Sequence, residues 1–275
     1  MKRIIIVTGA SSGIGKEFAL QLAAGREADE IWLLARRKDR LEALIPAISA
    51  FGKATPRAIA IDLGGKRGVD AFTDLLAEER TSCGNEGFIV DALVNNAGFG
   101  TYGKFAATDA ERELEMIDLN VYALTGLCHA ALPFLRKGSV IINVASLAGF
   151  SPLGNLAVYA ATKAYVLSFS VALAAELADS GVFVSTVCPG PVDTEFSLVA
   201  SGGVREKVVD GKSPEALVRH ALRSIKSGKR IAIMAPKWKF KAFMSRFVGR
   251  FAIALHSSRH DTRPAAPRQS DKETT

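Results

Sequence analysis

Disulfide and zinc frameworks are excluded first. The chain holds 3 cysteines in 275 residues. Cys83, Cys128 and Cys188 are widely separated and form no CxxC pair, which fits a reducing compartment and a cytoplasmic protein. The 4 histidines (His129, His220, His256 and His260) show no HExxH or similar ligand spacing, so no metal is expected. Long apolar runs are missing too. No stretch reaches about 18 uncharged apolar residues, so no membrane-spanning helix is expected. The apolar run in MKRIIIVTGA is too short for a signal peptide. With 48% hydrophobic and 23% charged residues, disorder and fibrous repeats are excluded, and the length is enough to bury a large core.

Acid is scarce in one region. From Lys212 to the end the chain carries 15 Lys and Arg against 4 Asp and Glu; before that it carries 20 against 24. A mildly acidic body with a basic tail argues against nucleic-acid binding by the whole protein. It marks the tail as anion- or membrane-facing.

Short apolar, β-branched runs alternate with helical patterns. Strands buried on both faces are predicted at 4–7, 31–34, 58–61, 92–94, 140–144, 182–187 and 230–234. Helices are predicted at 14–24, 38–51, 69–79, 109–117, 120–135, 157–179 and 213–227. Strict alternation implies an α/β, doubly wound Rossmann fold: a seven-stranded parallel sheet with helices on both faces. No repeat or linker divides the body. Residues 1–236 read as one dinucleotide-binding domain. Residues 237–275 read as a basic aromatic extension, loose from about 256 onward.

The first strand runs into Thr8-Gly9-Ala10-Ser11-Ser12-Gly13-Ile14-Gly15 and then a helix. Glycines there allow a tight turn and close approach of backbone to a diphosphate, which the helix N-terminus attracts. The second strand ends at Arg36-Arg37, where a site for NAD usually has an acid. Two guanidiniums suit the 2′-phosphate of NADP(H); the alternative is a solvated charge cluster. Asp62, with Leu63 at the third strand tip, suits an adenine amino group or a helix N-cap. At the fourth strand tip, Asn96, Ala97 and Gly98 could bond neighbouring backbone and leave room for a flat cofactor. Tyr159 and Lys163 share one helix face. An ammonium beside a phenol is expected to lower the tyrosine pKa and make it an acid/base near neutrality. Ser146 ends the preceding strand at the same sheet edge.

Together these motifs resemble the short-chain dehydrogenase/reductase family in its single-domain form, over roughly residues 2–235. The matching pieces are TGASSGIG, NNAG, Asn120, Ser146, YAATK and the run Pro189-Gly190-Pro191-Val192-Asp193-Thr194. The resemblance implies roles. Tyr159 exchanges a proton with the substrate oxygen and Ser146 hydrogen-bonds that oxygen. Lys163 holds the nicotinamide ribose and tunes Tyr159. Asn120 holds a water linking Lys163 to solvent. Pro189 and Gly190 belong to the cofactor loop, where Val192 and Thr194 contact the carboxamide. Family members pair through the helices at 120–135 and 157–179, so a homodimer or homotetramer is implied.

The expected function is NADP(H)-dependent hydride transfer between nicotinamide and a carbonyl or secondary alcohol, with an apolar ketone or aldehyde as substrate. Segments 147–155 and 195–211 supply Phe150, Leu153, Phe196 and Leu198; with Phe99 they suggest an apolar pocket, or lid residues that pack on each other. No arginine falls in the first segment, which disfavours small anionic substrates. Two alternatives stay open: a lipid- or steroid-type dehydrogenase at a membrane surface, and a non-catalytic NADP-binding regulator. Residues 237–255 interleave Trp238, Phe240, Phe243, Met244, Phe247 and Phe251 with Lys237, Lys239, Lys241, Arg246 and Arg250. That pattern suits a membrane-surface helix or one docked on the protein itself, and the docked reading is preferred. Gly249 weakens a single helix there.

Overall fold

A computed structural model describes residues 1–204 and 211–261. Seven parallel strands form one sheet in the order β3-β2-β1-β4-β5-β6-β7. They are β1 (Lys2–Thr8), β2 (Glu30–Ala35), β3 (Thr55–Ala60), β4 (Phe88–Asn95), β5 (Val140–Val144), β6 (Phe183–Val187) and β7 (Ile231–Ala232). The order reverses between β1 and β4, which opens a crevice beyond the carboxyl ends of the strands.

Alternate residues of each strand face opposite layers. Ile4 and Ile6 pack with α4 (Gly65–Cys83), α6 (Leu124–Ala131) and α7 (Ala157–Glu176) through Phe72, Leu127 and Val166. Ile5 and Val7 pack with α1 (Gly13–Gly25), α3 (Ile45–Ser49) and α9 (Pro214–Lys226) through Phe18, Ile48 and Val218. Phe18 and Phe72 are fully buried, each contributing roughly 1.5–3 kcal/mol. By length and composition α7 could cross a membrane. In the fold it lies over the sheet with Tyr159 and Lys163 buried.

The boundaries depart from the sequence pattern for identifiable reasons. β4 is longer than expected because Asp91 interrupts its apolar run. Asp91 sits at a register shift opposite Ile4 and Ile5, buried, and is paired with Arg3 at 2.7 Å and with Arg26. β3 is an edge strand rather than one buried on both faces, and Pro56 is tolerated there. The helix expected at 38–51 is two short ones, α2 (Lys38–Glu42) and α3, with Pro46 in the first turn of α3. The helices expected at 109–117 and 120–135 join. α5 (Ala110–Ile117) runs into a π-helical stretch, Asp118–Ala123, and then α6.

The C-terminal region is not one helix. α10 (Pro236–Met244) and α11 (Arg250–His260) meet at Gly249. Part of the segment expected to be loose is docked. Ser257 Oγ donates to Gly154 O at 3.1 Å, and Asn155 Nδ2 donates to the carbonyls of Ser258 and Asp261 at 3.2 and 3.1 Å. Residues 205–210 of the second pocket segment and 262–275 of the tail lie outside the described residues.

Candidate active site

One cleft of about 790 Å³ lies along the carboxyl edge of the sheet. Its floor is the glycine turn. Gly9 and Gly13 have φ of +65° and +52°, a region that favours glycine. A Cβ on Gly15 would stand 2.2 Å from Gly9 O and 2.4 Å from Asn96 Nδ2. Gly15 is therefore buried beneath the turn, packing helix on strand. Gly9, Ser11, Ser12, Gly13 and Ile14 line the cleft itself. Asn96 ties this floor to β4: its Nδ2 donates to Thr8 O at 3.1 Å, and the N–H groups of Asn96 and Ala97 donate to Thr8 Oγ1.

Arg36, Arg37, Asp62 and Leu63 line the cleft from the tips of β2 and β3. Arg37 Nη2 donates to Ser11 Oγ and Ser12 Oγ at 3.1 and 3.0 Å. Its Nη1 pairs with Glu195 at 2.9 Å, and Arg40 takes the other oxygen of the same carboxylate. Hydrogen bonds from Arg40 and Arg37 hold Glu195 below the usual carboxylate range. Asp62 serves a local role as well, accepting from Gly64 N at 3.1 Å.

Ser146, Tyr159 and Lys163 meet in the middle of the cleft. Ser146 Oγ accepts from Ala148 N at 3.1 Å and donates to Pro189 O at 3.5 Å, and it lies close enough to Tyr159 to act on its pKa in the lowering direction. Lys163 Nζ donates to Val144 O at 2.9 Å and lies 5.8 Å from the centre of the Tyr159 ring. The tyrosine pKa is not lowered as the ammonium was expected to do. Burial pushes the phenol up to about 12, against a lowering hydrogen bond from Ser146. Burial also brings Lys163 down to about 8. Lys163 is turned to the Val144 carbonyl, and desolvation governs the phenol.

Asn120 stands behind the cleft wall, on the π-helical stretch. Its Oδ1 accepts from Phe99 N at 3.1 Å, and its Nδ2 donates to Phe99 O and Thr162 Oγ1. A Cβ on Gly98 would sit 2.6 Å from Asn120 Oδ1 and 3.5 Å from Lys163 Nζ, so glycine is needed for the wall to close. Pro189, Gly190, Val192 and Thr194 form the opposite lip. Gly190 is also where α10 anchors: a Cβ there would stand 2.3 Å from the Trp238 indole.

The substrate end is largely apolar. Phe196 lies 5.2 Å from Tyr159 and 6.4 Å from Tyr102, ring centre to ring centre, with Phe99 and Leu153 in the same cluster. Several lining residues were missed in the sequence. Tyr102 is near NNAG, so adjacency could have flagged it; Glu195 opens the second expected pocket segment and lines the cleft, but its pairing with Arg37 and Arg40 was not read. Arg112 comes from α5, with Cζ 3.8 Å above the Phe99 ring. Segment 147–155 holds no arginine, but the pocket takes one from α5, so the lining does not disfavour small anionic substrates. Lys241 and His260 reach the lining from α10 and α11, a non-local contact with no sequence signature.

The family model for short chain dehydrogenase matches residues 3–201. The chain belongs to the short-chain dehydrogenase/reductase family. A relative in the family is a sulfoacetaldehyde reductase of Chromohalobacter salexigens. It is 38% identical over 207 residues, which are 74% of this chain and 78% of the relative. A short-chain dehydrogenase from Sphingobium yanoikuyae, solved in complex with NADPH, superposes with a TM-score of 0.76 at 30% identity, over 89% of this chain and 93% of that one. The bulky-bulky ketone specific alcohol dehydrogenase of Comamonas testosteroni gives 0.71 at 25% identity, over 90% and 92%. The family is one of oxidoreductases that interconvert CH–OH and C=O groups.

Proposed function

We propose that the protein is an NADP(H)-dependent oxidoreductase that reduces a ketone or aldehyde on a largely apolar substrate. The observation that carries this reading is the meeting of Ser146, Tyr159 and Lys163 in one cleft with the glycine turn and with Arg36 and Arg37. The residues fit a dinucleotide. Gly9 and Gly13 carry no Cβ on the cleft floor, where backbone would approach a diphosphate, α1 starts there, and Arg37 with Ser11 and Ser12 forms a donor cluster for a 2′-phosphate.

Bound nicotinamide supplies the hydride. Tyr159, neutral through the physiological range, donates its phenolic proton to the carbonyl oxygen, which Ser146 helps to hold by hydrogen bonding. Lys163 would hold the ribose, and the backbone of Asn120, whose side-chain amide is bonded to Phe99 and Thr162, would hold a water on the path from Lys163 to solvent. Pro189, Gly190, Val192 and Thr194 position the carboxamide. Asp62 and Leu63, at the tip of β3, would hold the adenine. Phe99, Tyr102, Leu153 and Phe196 exclude water from the reacting carbon. The bulky-ketone-specific neighbour supports a ketone of some size, and the aromatic lining supports its apolar character.

A second reading, a small anionic aldehyde, is favoured by Arg112 in the lining and by the sulfoacetaldehyde reductase relative. NADPH and NADH oxidation against a panel of bulky ketones, long-chain aldehydes and sulfoacetaldehyde separates the two. Turnover of bulky apolar carbonyls with NADPH supports the main reading, and exclusive turnover of sulfoacetaldehyde the second. Tight NADPH binding without turnover of any member would return the protein to the class of NADP-binding regulators.

A further inference from the structure

The α10–α11 hairpin is docked and exposed at once. Trp238, Ala242 and Ser257 are buried against the body. The opposite side carries Phe240, Phe243, Phe247 and Phe251, exposed by 65%, 55%, 68% and 79%. The rings of Phe243 and Phe247 lie 5.1 Å apart, so the exposed aromatic surface runs from the end of α10 into the turn before α11. Four exposed phenylalanines within twelve residues are not the scattered apolar exposure of an ordinary surface.

The charge around them is of one sign. Lys237, Lys239, Lys241, Arg246, Arg250 and Arg259 lie in the hairpin, and no Asp or Glu occurs from Ala216 to His260. Beyond Asp261, the segment 262–275 carries Asp271 and Glu273 against Arg263, Arg268 and Lys272, too few acids to neutralise the hairpin. A second copy meeting this face on a two-fold axis would bring like charges together. A single-stranded nucleic acid needs a groove that tracks its backbone, whereas these rings project from helices. Rings that sink among acyl chains, ringed by cations that meet headgroups, suit an anionic lipid surface.

We propose that the α10–α11 hairpin seats the protein on anionic membranes, with Phe240, Phe243, Phe247 and Phe251 inserted at the headgroup boundary. The same hairpin rims the cleft through Lys241, Ala242 and His260, so the substrate mouth opens beside the lipid. A lipophilic carbonyl then enters from the bilayer side. This consequence rests on the proposed function, whereas the docking does not.

The test is flotation of the full chain with vesicles of phosphatidylcholine alone or with one third phosphatidylglycerol. The protein floats with the anionic vesicles, at least tenfold less with the neutral ones, and comes off as salt rises from 50 to 500 mM, on the order of the change that screens exposed charges. The variant Phe240→Ser/Phe243→Ser/Phe247→Ser/Phe251→Ser loses at least tenfold of the binding. It keeps the melting temperature and the NADPH fluorescence titration of the wild type, since none of these rings packs in the core or lines the cleft. Three results overturn the proposal: no flotation at 50 mM salt, unchanged flotation of the variant, or a wild-type oligomer that falls apart in the variant, which would make the face a contact between copies. Vesicle binding with no carbonyl turnover leaves the docking standing and removes only the substrate consequence.

Discussion

Arg37 lies between two claims on its charge. Ser11 and Ser12 accept on one side and Glu195 pairs on the other. A 2′-phosphate would compete with Glu195 for Arg37 and Arg40, so the carboxylate works against NADPH. Arg36→Ala/Arg37→Ala should bring NADPH affinity close to that for NADH, each lost charged hydrogen bond costing about 1.5–3 kcal/mol. Glu195→Gln should tighten NADPH and leave NADH unchanged. Titration of nicotinamide fluorescence checks both, and equal affinity of the wild type for the two cofactors would rule out the NADP assignment. Lys163 sets a pH limb. Its ammonium is present below about pH 8 and lost above it. The kcat/KM for NADPH, which reports ionisations of the free protein, should therefore fall above pH 8. Tyr159, pushed up to about 12, should add no limb below that. A profile flat from pH 7 to 10 would contradict the role given to Lys163.

At the scale of elements, α10 is the least expected part. Trp238 lies against Gly190 and so braces the loop that would contact the carboxamide. Trp238→Ala should cost about 3–5 kcal/mol, visible as a lower melting temperature and weaker NADPH binding. An unchanged melting temperature would mean that the indole braces nothing. The sequence made β1, β5, β6, α1 and α9 legible because their signals are local: continuous apolar runs, or an apolar stripe with a capping serine at Ser213. It hid most of β4, because the pairing that makes Asp91 acceptable comes from Arg3 and Arg26, far along the chain. The cleft followed the same division. Motif residues on adjacent strand tips were readable, and all of them line the cleft or, like Gly15 and Asn120, pack directly behind it. Arg112, Lys241 and His260 reach it only through tertiary packing. The phenol pKa was misjudged because spacing on a helix gives no measure of burial.

Over the whole molecule, a second set of exposed apolar residues lies on α5 to α7. Along α7 and at its C-cap, Leu173 is buried, and Leu167, Phe169 and Leu177 pack partly buried against the core, whereas Val171 stays exposed with Tyr165 and, from the neighbouring helices, Leu114, Ile117 and Tyr122. This face supports a homodimer, or a homotetramer of two-fold symmetry. Light scattering at micromolar concentration should give at least twice the chain mass, and Tyr165→Glu/Val171→Glu should give the monomer. A monomeric wild type would contradict the pairing.

The chemistry itself turns on one oxygen atom. Tyr159→Phe removes the proton donor and leaves the glycine turn, Arg36, Arg37 and Lys163 in place. With the best carbonyl of the panel, NADPH oxidation should drop by at least about a hundredfold, the usual scale of a lost general acid, while NADPH binding stays within about twofold of the wild type. Near wild-type turnover by the phenylalanine variant would contradict the account.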